Sequence, residues 1–440
     1  MALKSQEPRL PRAVYWLALL GFLLRLTVRV TSGAAEFWAN GYTFFFAMAQ
    51  NIARGQGIGI AGIRTAFRVP LYPILLACWT GGHKAFWPIA IAQSLIGAGT
   101  VVCAGLLALQ MYRTAWGAKA AVLAAAMTAL YPYYMIHDTA LEETSLFTLL
   151  ALAAILLLRR ARANASAVCG ASAGVILGLD VLTRATIAPF ALLAPLWLLR
   201  QKRMRAGLAC GLLLALTVTP WLWRNYRLTG VPTLSTETGI ELWTGNNGFL
   251  FTHYPEGSSD LSKSDALNAL SSKDQQELDR MGDNEERENS WFRHKALEYM
   301  RAHPAQTVMD GLRKIAASFW LLPSPRRGRI ADLVYAFSYG PVMLLGLWGM
   351  WLRRRFWRED SLVYLVFASF IAVTAVFWAH TSHRAFLDVY WMVFAAGALQ
   401  QHWSRAPIKD ACETPRRDIA HPATENRQGH RAEAGTRVQW

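Results

Sequence analysis

The stretch "AEFWANGYTFFFAMAQNIARGQG", residues 35–57, follows the first strongly apolar segment and decides how often the chain crosses a membrane. If it crosses, every later loop changes sides. Its apolar part, Tyr42–Ala53, is short against the roughly 20 residues a bilayer needs. Tyr42, Phe45, Phe46, Ala49 and Ile52 recur at helical spacing. The stretch, like "LYPILLACW" at residues 71–79, is therefore expected to be an interfacial helix on the outer surface.

The rest of the chain sets that surface in context. Of 440 residues, 53% are hydrophobic and 17% charged, against about 25% charged in a soluble protein. Apolar runs at Val14–Leu26, Ile89–Met111, Leu146–Leu158 and Leu362–Trp378 approach spanning length. The class expected is an all-α polytopic membrane protein. A net charge of +16 would point to nucleic acid in a soluble chain. Here the basic residues follow the apolar segments, as the positive-inside bias requires, and no nucleic-acid partner is expected.

Placing Lys4–Arg12, Arg113–Lys119, Arg159–Arg162, Arg200–Arg205, Arg353–Arg358 and the tail from Arg405 in the cytoplasm gives about ten crossings with both termini inside. They fall near 13–31, 86–111, 118–136, 144–159, 166–183, 185–199, 205–223, 332–352, 361–379 and 386–402. The chain divides into an N-terminal membrane module over 1–223, a long outer loop over 224–331, C-terminal membrane helices over 332–402, and a basic tail over 403–440. The module carries outer segments at about 32–85 and 137–143, and the tail is expected to be disordered and cytoplasmic. The first helix lacks a small-residue cleavage site and reads as a retained anchor.

Within the long loop, residues 258–290 are polar and read as a solvated helical or mobile excursion. "QTVMDGLRKIAASFWLL" puts Val308, Leu312, Ile315, Ala316 and Phe319 on one face, as in an interfacial helix. Arg326, Arg327 and Arg329 precede the 332–352 segment on its outer side and are candidates for an anionic partner at the membrane surface. The five cysteines share no metal-ligand or redox spacing.

Several phrases, taken together and in order, resemble the bacterial family 39-like glycosyltransferases of the GT-C superfamily, relatives of protein O-mannosyltransferases and of aminoarabinose transferases. They are "NIARGQG" followed by "TAFRVPLYP", then "ALYPYY" with "LEETSLF", "GLDVLTRAT", "TPWLWRNYRLTGVPTLSTETGIELWTGNN", "EYMRAHPAQ" and "HRAFLDVYWMVFAAGAL". The resemblance runs from about residue 13 to 402. It implies a GT-C-type membrane fold with an outward-facing reaction centre in a bacterial inner membrane. There a sugar passes, with inversion, from a polyprenyl-phosphate-linked donor to an extracytoplasmic lipid, polysaccharide or protein acceptor. No cofactor is implied. The chain has no Gly-rich phosphate loop or Rossmann fingerprint.

Such transfer needs a base for the acceptor and cations for the departing phosphate. The resemblance puts an acid about fourteen residues before the Gly-x-Gly; counting back from Gly55 reaches Gly41, and no acid stands there. Glu36 is the only carboxylate between the first helix and the second crossing, and it is the provisional base, against the plainer reading of a membrane-surface acid. In "HDTALEE", Glu143 or Glu142 matches a second acidic position and Asp138 the place where some relatives carry another site acid; the plainer reading is that Glu142 and Glu143 favour a helix N-terminus. Arg68, Arg184 and Arg384 match basic positions and are the expected phosphate binders, against snorkelling or scaffolding. Arg224, Asn225, Asn246 and Asn247 either contact substrate or fix the loop, and loop architecture is favoured. His380 and His383 lack a third ligand, so no metal is expected.

Two other classes compete: a catalytically inactive GT-C-like protein that binds a lipid-linked glycan, and a transporter. The missing acid near Asn40–Tyr42 favours the first. Asp180 is the main intramembrane acid, and the others gather in outer segments, which disfavours the second.

Overall fold

The fold is that of a computed structural model, which describes residues 9–39, 42–60, 63–112, 115–378 and 380–404. The first helix, α1 (Arg12–Ala39), has 28 residues but is broken at Gly33, whose φ of 81° is non-helical. Glycine takes that conformation without the penalty of a Cβ. The quoted stretch follows as α2 (Thr43–Ala53), an 11-residue helix. A short antiparallel ribbon, β1 (Gly59–Ile60) and β2 (Ile63–Arg64), leads to α3 (Leu71–Thr80). Phe45, Phe46 and Ala49 of α2 pack with Tyr72, Leu76 and Ala77 of α3 around Phe37, Leu141 and Leu146. The stretch lies on the end of the bundle and does not cross it.

The bundle continues with α4 (Phe86–Met111), α5 (Ala115–Leu130), α6 (Pro132–Thr139), α7 (Thr144–Asn164), α8 (Ala167–Val181), α9 (Ala188–Arg200) and α10 (Met204–Thr229). A helical outer region follows: α11 (Thr238–Thr244), α12 (Ser259–Asn268), α13 (Ser272–Met281), α14 (Glu285–Ala302) and α15 (Pro304–Ser318). The chain returns through α16 (Arg329–Leu352), α17 (Trp357–Val376), α18 (Thr381–Arg384) and α19 (Asp388–Ser404). Among the described residues, 6 helices are long and apolar enough to cross a membrane: α1, α4, α7, α10, α16 and the segment Arg354–Val376. The chain is an all-α polytopic membrane protein.

Close backbone approach builds the bundle where side chains are small. Gly170, Gly174 and Gly178 line one face of α8. A Cβ at Gly170 or Gly174 would meet the carbonyl oxygens of Ala206 or Cys210 on α10 at 2.3 and 2.2 Å. Gly346 and Gly349 do the same for α16 against Trp391 and Phe394 of the buried α19.

Several expected boundaries move. The crossing expected over 118–136 stops at Leu130, because Tyr131 is extended and Pro132 opens a separate helix. The final helix runs on to Ser404, and the remaining tail, 405–440, lies outside the described residues. Residues 258–290 are helical, and α14 packs Trp291, Phe292 and Ala296 with Trp243 and Ala266 into a small separate core. In α15 the apolar residues Val308, Met309 and Leu312 are exposed while Asp310, Lys314 and Ser318 are buried. That polarity suits a helix whose apolar side meets lipid. Lys314 Nζ donates to the carbonyls of Gly245 (3.0 Å) and Val376 (3.2 Å), clamping α15 to the membrane helices.

Charged side chains are buried at both ends of the bundle. At one end Arg353 makes a bidentate pair with Asp360, at 2.7 and 2.9 Å, both side chains fully buried. Arg353 also donates to the Met111 carbonyl at 3.0 Å. This staple joins α16, α17 and α4. Breaking one partner of a buried pair strands the other, at about 3–5 kcal/mol. Asp360→Ala should therefore lower the thermal unfolding midpoint in detergent clearly, and the double variant Arg353→Met, Asp360→Leu should recover most of that loss.

Candidate active site

The other end collects the C-terminal ends of α1, α5, α8, α10 and α17 with the N-terminal ends of α4, α7, α16 and α19. Two arginines of the otherwise apolar α1 begin the site. Arg25 and Arg29 sit one turn apart and are buried. Arg25 Nε donates to Asp138 Oδ2 at 2.5 Å, and its Nη1 donates to the Gly21 carbonyl at 3.1 Å. Arg29 Nη2 donates to Gln93 Oε1 at 2.9 Å and to the Asp138 carbonyl at 3.0 Å. Gln93 in turn donates to the Ala140 carbonyl at 2.9 Å. The α6–α7 turn, residues 140–143, is thus suspended from α1 and α4. Burial pushes the Asp138 carboxyl above the usual range, and the Arg25 guanidinium opposes it.

That turn presents three further groups. His137 Nδ1 bonds Glu142 Oε1. Burial alone would raise the Glu142 carboxyl, but His137, Arg184 and Thr144 outweigh it and hold it below the usual carboxylate range. Glu143 Oε1 accepts from Arg184 Nε (2.9 Å) and Nη2 (2.7 Å). The backbone N–H of Tyr42 donates to the Leu141 carbonyl at 3.1 Å. Tyr42 is thereby tied to the α6–α7 turn; Asn40 and Gly41, where the resemblance expects an acid, lie outside the described residues. Burial, together with the Glu142 and Glu143 carboxylates, pushes the Tyr42 hydroxyl up to about 12.

A second ion pair closes the site from above. Arg68, over the ring of Phe44 from the quoted stretch, bonds Glu237 Oε1 at 2.5 Å. Burial and the neighbouring Glu241 push the Glu237 carboxyl up to about 8, with Arg68 opposing. His383 faces His380, Arg184, Arg68 and His137. Burial first, and then these basic neighbours, hold its imidazole well below its ordinary pKa. His383 thus lies among the charged groups of this end. Arg29 Nε and Nη1, Arg68 Nε, Arg184 Nη1, His137 Nε2 and Glu143 Oε2 are all buried and have no hydrogen-bond partner among the described residues. Buried polar atoms are seldom left so. Their concentration at one end is what a polar ligand would satisfy.

Of the residues expected from sequence, Asp138, Glu143, Arg68 and Arg184 converge here. Glu36 is exposed on α1, one residue before the buried Phe37. Arg384 is fully buried below the pocket, where it pairs with Asp388, accepts company from the ring of Tyr339, and donates to Tyr335 Oη at 2.7 Å. Arg224 donates to the carbonyls of Thr65 and Ile58, both at 2.7 Å, and Asn225 to that of Thr233 at 2.8 Å, so both brace the loops above the site. Asn246 bonds the Leu242 and Val376 carbonyls at 2.8 Å, and Asn247 that of Trp243 at 2.8 Å. These four residues act in loop architecture. His380 Nε2 is bonded to Ser259 Oγ at 2.7 Å, and among the described residues no three His, Cys, Asp or Glu side chains group as metal ligands.

No protein-family model and no curated protein matches this chain. Among solved structures it is similar to the crystal structure of ArnT from Cupriavidus metallidurans bound to undecaprenyl phosphate. The identity is 12%, over 87% of this chain and 78% of that one, with a TM-score of 0.34.

Sequence reasoning missed Arg25, Arg29, His137 and Glu237 as residues of this cluster. The first two had a signal: arginines at i and i+4 within an apolar run are costly unless paired inside the bundle. Glu237 and its partner lie far apart in sequence, and no spacing announces them.

The raised carboxyl of Glu237 has a defined consequence for stability. Its folded pKa lies above the ordinary value, so the native state binds the extra proton, and that stabilisation is lost as pH rises toward 8. Glu237→Gln cannot lose it. The unfolding midpoint of the variant relative to wild type should climb steadily between pH 5 and 8, followed by thermal scans in one detergent.

Proposed function

We propose that the chain is a membrane glycosyltransferase that moves a sugar, with inversion, from a polyprenyl-phosphate-linked donor to an acceptor on the outer side of a bacterial inner membrane. The observation that carries this reading is the cluster of buried arginines at one end of the bundle, with unpartnered guanidinium nitrogens from Arg29, Arg68 and Arg184. Guanidinium groups bind phosphate through a planar fork and stabilise the charge that gathers on a departing phosphate. The basic clusters at the opposite end, including Arg159, Arg162, Arg200, Arg203 and Arg353, support a cytoplasmic placement of that end. The sequence phrases quoted above point to the same reaction class.

In this reading Arg184 and Arg68 receive the donor phosphate, and Glu143 and Glu237 hold them in place until it arrives. Asp138 keeps α1 and the α6–α7 turn in register. Arg384 supports the pocket floor through Asp388 and Tyr335. The exposed surface of α15 and the adjoining Trp320 and Leu321 suit an approach by the lipid chain from the membrane. A second reading, donor binding without transfer, is favoured by one feature: Asp138, Glu143, Glu237 and Asp388 are each engaged by an arginine.

Incubation of the purified protein with undecaprenyl-phosphate-linked hexoses and bacterial membrane extract should give sugar transfer from at least one donor. Arg184→Gln and Arg68→Gln should each reduce kcat/KM by about tenfold or more, the cost of losing a charge-assisted hydrogen bond. Glu36→Gln should transfer normally, given its exposure. Donor binding with no transfer to any fraction of the extract would leave the binding reading in its place.

A further inference from the structure

We propose that His137, oriented by Glu142, is the general base that takes the proton from the acceptor. This inference rests on the transferase reading above. Asp138, Glu143 and Glu237 are each held by an arginine through at least one oxygen, and Glu142 is held by His137. The position near Asn40–Tyr42, where the resemblance expects an acid, has none. A different group, in the α6–α7 segment, is built for the task.

The imidazole of His137 is buried, with Nδ1 engaged by Glu142 and Nε2 lacking any partner among the described residues. A carboxylate on one ring nitrogen fixes the tautomer, so that Nδ1 carries the proton and Nε2 presents a lone pair. The same carboxylate stabilises the imidazolium that forms when Nε2 is protonated. Tyr133, edge-on to the ring with centroids 4.4 Å apart, fixes its plane. The ionisable groups facing it are Glu142 from the turn, Asp138 from α6, His383 from α18 and Asp388 from α19. Glu142, which holds His137, directly precedes Glu143, which holds Arg184, so the His137 and Arg184 pairs are neighbours along the α6–α7 turn.

The step balances as follows. The acceptor hydroxyl gives its proton to His137 Nε2 while its oxygen forms a bond to the anomeric carbon of the donor sugar. The bond from that carbon to the phosphate oxygen breaks, and its electron pair leaves on the polyprenyl phosphate, held by Arg68 and Arg184. The proton on His137 then passes to solvent.

The test combines donor binding with transfer. Full-length wild type, His137→Gln and Glu142→Gln are compared for undecaprenyl phosphate binding by native mass spectrometry and for transfer from undecaprenyl-phosphate-linked hexoses to membrane extract. His137→Gln should bind undecaprenyl phosphate as wild type does, yet lose about 10²–10⁴-fold in kcat, the range for removing a general base, and added imidazole should restore part of the rate. Glu142→Gln should move the acid limb of the pH–rate profile to lower pH, because the imidazolium loses its carboxylate, with little change in donor KM. A merely structural role would leave that limb in place. Transfer at the wild-type rate by His137→Gln, or an unmoved acid limb in Glu142→Gln, would overturn the base assignment and leave the transferase reading standing. A wild-type protein that transfers from no such donor would overturn both.

Discussion

The Arg25–Asp138 pair fixes the architecture of the site end. Two opposite charges lie inside the bundle at 2.5 Å, with the arginine side chain fully buried, and each makes the other tolerable. Room for the pair depends on Gly97 of α4, where a Cβ would lie 2.3 Å from Arg25 Nε and 2.7 Å from Asp138 Oδ2. One glycine, one arginine and one aspartate thus tie three segments together. The backbone that follows Asp138 carries His137's partner Glu142 and then Glu143, so the positions of both are set by that tie.

From there charge propagates outward in alternation. Glu143 faces Arg184, Arg68 faces Glu237, and Arg384 faces Asp388. Each arginine is neutralised on one side while Arg29, Arg68, Arg184 and Arg384 all retain a nitrogen without a partner among the described residues. That is a costly way to build a purely structural core, since an unsatisfied buried donor costs about 1–3 kcal/mol. The opposite end shows the contrast. There Arg353 is matched by both oxygens of Asp360 and by a backbone carbonyl. Both ends bury charge, and Arg159 Nε is likewise without a partner among the described residues at the Arg353 end, but Arg29, Arg68, Arg184 and Arg384 gather at the end with the loops.

Much of this was legible in the residues. The quoted stretch reads as a surface helix because Phe45, Phe46 and Ala49 recur at helical spacing over a span too short for a bilayer, and α2 is such a helix. The grouping of Glu143 with Arg184 was anticipated only as two separate candidates, because pairing across 41 residues has no local signature. The break at Tyr131–Pro132 was available from the proline but was overridden by the apolar run around it. A lone histidine such as His137, in α6, carries no signal until its neighbours are known. Its meaning comes from Glu142 on one nitrogen and an empty hydrogen-bonding direction on the other.

The central claim is that the arginines at the loop end receive a lipid-linked phosphate. It is tested most directly by an electron cryomicroscopy map of the full-length protein in nanodiscs with undecaprenyl phosphate. The account predicts phosphate density within hydrogen-bond reach of Arg68 and Arg184, with the polyprenyl chain leaving toward the bilayer. Phosphate density at the opposite end, beside Arg353, or a loop-end pocket that stays without lipid at saturating concentration, would contradict it.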